Sequence, residues 1–142
     1  MILLNLIELI EFFGGQALMD NSFFNFENKG KNRIEALKIF SLEMIILILK
    51  FFKSKKLEKT FIKKTKSILS EILLCFCISE SKSYYLLSFK IFRLLIPYRE
   101  ELKSELGSII ELVFMKLITS ENTSFAHRND AIIVNIFYNF EK

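Results

Sequence analysis

Apolar residues recur along most of this chain at the three- and four-residue steps of a helix face, and the breaks between them mark out about six helices. The first is predicted from Ile2 to about Phe13. It stops at Gly14-Gly15 or frays on through Met19. Its polar residues Asn5, Glu8 and Glu11 form one narrow stripe, so most of its surface needs cover. A loop rich in turn formers follows over Asp20–Lys31, with Phe23, Phe24 and Phe26 expected to tuck onto the helices. The second helix is predicted over Asn32–Phe52, its apolar side carried by Ile34, Leu37, Phe40, Leu42, Ile45, Leu49 and Phe52. The third runs over Leu57–Ile78, basic in its first half and apolar in its second.

The centre of the pattern is Tyr84–Ile118. The fourth helix, Tyr84–Leu95, has only Ser88, Lys90 and Arg93 as strongly polar residues, and a helix apolar nearly all round lies between neighbours. Ser79 to Ser83 offer serine caps at its start. Pro97 pushes the preceding residue out of the α region, so this helix should end near Leu95 or Ile96. The fifth helix is predicted over Tyr98–Ile118, with Glu100 and Glu101 in its first turn at the positive end of the helix dipole. Leu102, Leu106, Ile109, Ile110, Val113, Phe114, Leu117 and Ile118 make its apolar stripe. Gly107 inside it fits either a close helix crossing or plain tolerance. A sixth helix starts near Phe125 and carries Ala131, Ile132, Val134, Ile136 and Phe137. The expectation is one all-α domain over residues 1–142, a degenerate armadillo or HEAT-like superhelix or an irregular bundle. The apolar ending at Tyr138–Lys142 reads as a domain cut short.

Composition supports this class. With 51% hydrophobic residues the chain is no disordered segment, and one proline and four glycines leave little turn chemistry for a sheet fold. No predicted helix offers the roughly 20 apolar residues of a membrane span. The start lacks the basic flank of a signal peptide, and as a membrane-surface helix its polar face has the wrong sign. The net charge of +4 is unevenly spread: eight lysines lie between Lys50 and Lys66 against Glu58 alone. Lys53, Lys55, Lys56, Lys59 and Lys63 of that block are candidates to meet an anionic lipid surface; the competing reading is a solvated helix end and its loop. No aromatic or arginine pattern for base stacking accompanies them, so nucleic acid is not an expected partner.

Catalytic chemistry finds little footing. There is no glycine-rich phosphate loop and no nucleophile elbow, and His127 is the single histidine. Glu100 and Glu101 point apart on a helix and make no catalytic pair. Cys75 and Cys77 fall on different helix faces, too few for zinc and badly placed for a disulfide, and are expected as buried free thiols. The residues predict no enzyme, no cofactor and no metal.

Short motifs in order do resemble a known family. Ser41-Leu42-Glu43 follows Arg33; then come Leu87-Ser88-Phe89-x-Ile91-Phe92-x-x-Leu95, Arg99-x-x-Leu102-Lys103-x-x-Leu106, Phe114-x-x-Leu117-Ile118 and Ser124-Phe125-x-His127-Arg128. Over residues 31–142 this resembles the homology-upstream-of-Sec-seven (HUS) domain of the large Arf guanine-nucleotide exchange factors, the BIG, Sec-seven and Mon-two group. Ile136-Phe137-Tyr138-Asn139-Phe140-Glu141 is similar to the opening of that domain's box, Ile-Tyr-x-Asn-Tyr-Asp. Phe137 and Phe140 stand where tyrosines are usual, Glu141 where aspartate is, and Lys142 where cysteine is.

The resemblance implies an armadillo-like regulatory module on the cytosolic face of Golgi or endosomal membranes. It implies binding to the dimerisation region of the same or a sibling exchange factor, and to an Arf-like GTPase, without exchange activity of its own. Tyr138, Asn139, Phe140 and Glu141 are then the partner-binding residues, although Asn139 also fits a helix C-cap. The alternative is an unrelated helical repeat scaffold or a peripheral membrane-surface protein.

Overall fold

The computed structural model describes residues 2–19, 28–52, 58–79, 81–119, 128–129 and 132–133, and those residues are helical or in the turns between helices, with no strand among them. The elements are α1 (Ile2–Leu18), α2 (Asn28–Phe52), α3 (Glu58–Phe76), α4 (Lys82–Leu95), a 3₁₀ turn (Ile96–Tyr98), α5 (Lys103–Ile109), a π-helical turn (Ile110–Phe114) and α6 (Met115–Thr119). The expected sixth helix has helical residues at 128–129 and 132–133; its remainder, like Phe23, Phe24 and Phe26, lies outside the described residues.

Helix α1 packs on both α2 and α3, α4 packs on the same two helices, and α5 adds to α3. The core lies where these contacts meet. Ile10, Leu42, Ile45, Phe61, Ile72 and Phe92 are all without solvent exposure there. Helix α4 buries Tyr85, Ser88, Phe89, Ile91, Phe92 and Leu95, which point to more than one side, as its almost unbroken apolar sequence requires. The hydroxyls drawn in with it are satisfied locally: Ser88 Oγ donates to Tyr85 O at 2.9 Å, and buried Thr65 Oγ1 donates to Phe61 O at 2.9 Å.

Several boundaries differ from expectation, each for a physical reason. Helix α1 takes the longer of its two expected ends, running through Gly14-Gly15 to Leu18. Gly14 is buried against α3: a Cβ there would run into Ile68 Cγ1 and lie 3.1 Å from Ile68 Cδ1 and 3.5 Å from Ile72 Cδ1. The bare Cα lets the helices close up, and fully buried Ala17 one turn on shares that contact strip. Gly107, by contrast, has nothing within 4 Å of an added Cβ, so no helix crossing explains it. Ser81 occupies the N-cap position of α4 without a side-chain cap bond; its own N–H donates instead to Ser79 Oγ at 3.1 Å.

Helix α4 ends at Leu95 as expected, but Ile96, the residue before Pro97, stays in the α region at φ −54° and ψ −42°, and α5 starts at Lys103 and not at Tyr98. Between them the chain tightens: Arg99 N–H donates to Ile96 O at 3.1 Å, and Tyr98 O accepts from Glu101 N–H at 3.0 Å and Leu102 N–H at 3.1 Å. That geometry keeps Tyr98 and Leu102 both buried. Glu100 and Glu101 are therefore turn residues, and Glu105 is the acid in the first turn of α5. The stripe Leu102, Leu106, Ile109, Ile110, Val113 and Leu117 is buried as read, although one turn widens where Met115 N–H reaches Ile110 O.

The apolar side of α2 is only partly the expected one. Leu42, Ile45 and Leu49 are buried, while Leu37 and Phe40 are exposed. On α1, Asn5, Glu8 and Glu11 face solvent as expected, but so do Leu4, Leu9 and Phe12.

The glycines give a direct test. Gly14→Ala should lower the melting temperature by several degrees, because an overpacked helix contact costs about 1–3 kcal/mol. Gly107→Ala should raise it, gaining about 0.5–1 kcal/mol of helix propensity with no clash. Thermal unfolding followed by circular dichroism decides; an unchanged Gly14→Ala would contradict the close α1–α3 approach.

Candidate functional site

The basic residues of α3 are the first site residues that the structure places. Lys59, Lys63 and Lys66 follow a four-then-three step, which puts them along one side of the helix. Lys59, Lys63 and Lys64 are exposed, and Lys66 is half-buried. They stay in water because the opposite side of the same turns carries buried Phe61, Ile62 and Thr65. Lys50 is exposed near the end of α2. Lys53, Lys55 and Lys56 lie outside the described residues, so among the candidate lipid contacts the structure places Lys59 and Lys63 on α3.

Two of these lysines face acids that the sequence reading did not pair with them. Lys59 Nζ lies 3.9 Å from Glu101 Oε1, and Lys66 Nζ lies 3.4 Å from Glu105 Oε1. No spacing in the sequence pairs them, since Lys59 and Lys66 meet these acids only once α3 and α5 pack. Both glutamate side chains are largely covered while the Lys59 side chain is 74% exposed, so these are rim contacts worth about 0–1 kcal/mol each. They sit at the edge of the α3–α5 contact and do not neutralise the face. Lys63 and Lys64 have no ion pair among the described residues.

Tyr138, Asn139, Phe140 and Glu141 lie outside the described residues, as does His127. Among the described residues, no group of three or more His, Cys, Asp or Glu is placed to hold a metal, and no helix is long and apolar enough to cross a membrane.

The thiols differ from expectation in one respect. Cys77 is buried, but Cys75 is exposed. Burial pushes the Cys77 thiol from its ordinary 9.0 up to about 12, with the neighbouring Ser88 hydroxyl pulling more weakly the other way. Tyr84, at the α2–α4 contact, is raised too, first by burial and then by the charge of Glu35. Its ring packs edge-on to Phe76 at 5.1 Å. Neither group is set up as a nucleophile; both sit where a neutral side chain fits the packing.

Over residues 5–141 the chain matches the family model described as Mon2/Sec7/BIG1-like, HUS domain. The match begins upstream of the quoted motifs and takes in α1. No curated protein and no solved structure matches.

Thiol chemistry checks this geometry. At about pH 8 the folded chain should be alkylated at Cys75 and not at Cys77, and the folded Cys75→Ser variant should be inert until denaturant is added. The Cys77 contribution to stability is intact below the unfolded thiol value near 9 and is lost as pH climbs toward 12, because the unfolded chain gives up that proton first. Rapid native labelling of Cys75→Ser would contradict the burial.

Proposed function

The chain belongs to the Mon2/Sec7/BIG1-like HUS domain family, and on that premise we propose that it is a non-catalytic regulatory and protein-interaction module of a large Arf guanine-nucleotide exchange factor. The observation that carries the reading is the family match over residues 5–141, nearly the whole sequence. The all-helical packing of the described residues supports it, since a rigid helical stack presents extended faces to protein partners. The module acts in Golgi and endosomal vesicle traffic, on the cytosolic face of the membrane. Its partners are the dimerisation region of the same or a sibling exchange factor and an Arf-like GTPase. Nucleotide exchange itself is not assigned to these residues.

Within this reading Tyr138, Asn139, Phe140 and Glu141 bind the dimerisation region. An amide such as that of Asn139 satisfies backbone groups across a contact, and a group left unsatisfied there costs about 1–3 kcal/mol. The exposed Lys59 and Lys63 meet anionic lipid, together with Lys53, Lys55 and Lys56 of the same stretch of sequence, and add a non-specific hold on the membrane.

Two experiments test this. In the full-length exchange factor, Asn139→Ala with Phe140→Ala should abolish pull-down of the dimerisation region at unchanged melting temperature. A lowered melting temperature with binding retained would reduce Asn139 to a helix cap. Cosedimentation with anionic vesicles should fall steeply as salt shortens the Debye length from about 30 Å at 0.01 M to about 8 Å at 0.15 M. Lys59→Glu with Lys63→Glu should weaken it further, and equal sedimentation with neutral and anionic vesicles would remove the lipid contact.

A further inference from the structure

Helix α1 turns to solvent a face that mixes apolar side chains with acids. Leu4 and Phe12 are each 59% exposed, Leu9 is 42% and Met19, just past the helix end, 44%. The opposite side carries Ile10, Gly14 and Ala17 into the contact with α2 and α3. Glu8 and Glu11 stand exposed among the apolar residues and form no ion pair among the described residues. Helix α1 contains no basic residue that could pair with them along its own surface, and both lie beyond its first turn, where the helix dipole would hold an acid. Gly15 is exposed on the same face, with nothing within 4 Å of an added Cβ. Its neighbours on the helix surface are Glu11 and Phe12 one turn back and Met19 one turn on. The bare Cα therefore leaves a notch with apolar sides and a carboxylate at its rim.

We propose that this face docks a basic amphipathic helix of a partner protein, and that the notch at Gly15 receives one of its lysine or arginine side chains. The aliphatic stem of such a residue lies along Phe12 and Met19 while its charged head meets Glu11. The partner's apolar residues cover Leu4 and Leu9 on the preceding turns, and a second cation meets Glu8. Charge selects this occupant over the others. A second copy of α1 would bring four carboxylates together, and like charges set against each other oppose association. An anionic lipid surface carries the same sign as the acids. A neutral helix would take water from Glu8 and Glu11 and return no partner. The face spans about 22 Å of helix, less than a standard interface, so docking of this one helix is weak, with a Kd of roughly 10–100 µM. The contact uses neither the box at residues 138–141 nor the lysines of α3, and it stands or falls separately from them.

The probe is a fluorescent peptide about five turns long, with leucines at helix-face spacing and lysines elsewhere, set against the same peptide with glutamine in place of lysine. Anisotropy titrations with the whole chain should show the leucine–lysine peptide binding roughly tenfold tighter than the neutral one, because two exposed ion pairs contribute up to about 1 kcal/mol each. Glu8→Gln with Glu11→Gln should bring the two peptides to equal affinity. Gly15→Leu fills the notch with a good helix former, so it should hold or raise the melting temperature while weakening the leucine–lysine peptide roughly tenfold. Circular dichroism checks that each variant is folded. No binding of the leucine–lysine peptide, equal binding of the neutral one to the unchanged chain, or affinity that survives both the glutamine pair and Gly15→Leu would each overturn the proposal.

Discussion

Helix α4 cannot be stable on its own surface. Its fourteen residues include buried Tyr85, Phe89, Ile91, Phe92 and Leu95, and the helix needs apolar neighbours on more than one side at once. Full burial of such side chains contributes about 1.5–3 kcal/mol each, as an upper estimate. The two ion pairs that join α3 to the α5 region contribute at most about 1 kcal/mol each. Packing around α4 therefore decides the arrangement, and the charges adjust to it. Helices α2 and α3 provide the two walls, and α1 closes over both of them. The 3₁₀ turn at Ile96–Tyr98 follows α4, and beyond it Leu102 and Leu106 also reach the core.

What was legible in the sequence follows from how local each signal is. The stripe from Leu102 to Leu117 depends on one helix's own periodicity and read through, as did the position at which α4 ends, although Ile96 keeps α-region angles before Pro97. The end of α1 stayed open between Gly14-Gly15 and Met19, because propensity treats glycine as a break while Ile68, more than fifty residues away, makes the missing Cβ useful. The start of α5 was misplaced because Tyr98 O draws two N–H groups into a tight turn, a choice made by the burial of Tyr98 and Leu102. Cys75 and Cys77 looked alike in an apolar run; only the position of α4, with Ser88 against Cys77, separates them.

The candidate site divides along the same line. The lysine block was visible as composition, but its pairing was not, since Lys59 and Lys66 find Glu101 and Glu105 only after α3 and α5 pack. Family membership was visible through ordered short motifs because a helical stack constrains which positions must be apolar, and those constraints recur wherever the stack does. Those motifs place the chain in a family; the residues that would contact a partner carry little of that signal.

Helix α2 is apolar over more of its surface than the core uses. A helix buried on one side needs apolar residues over only about a third of its circumference, and the rest is normally polar. Here Leu42, Ile45 and Leu49 meet that need, yet Leu37, Phe40 and Leu47 continue onto a second face. Each exposed apolar side chain costs solubility without helping the chain's own core, and a contiguous strip of them is the ordinary mark of a surface that is covered in the assembled state. One face of α2 thus holds the domain together, while Leu37 and Leu47 on the other remain about half exposed.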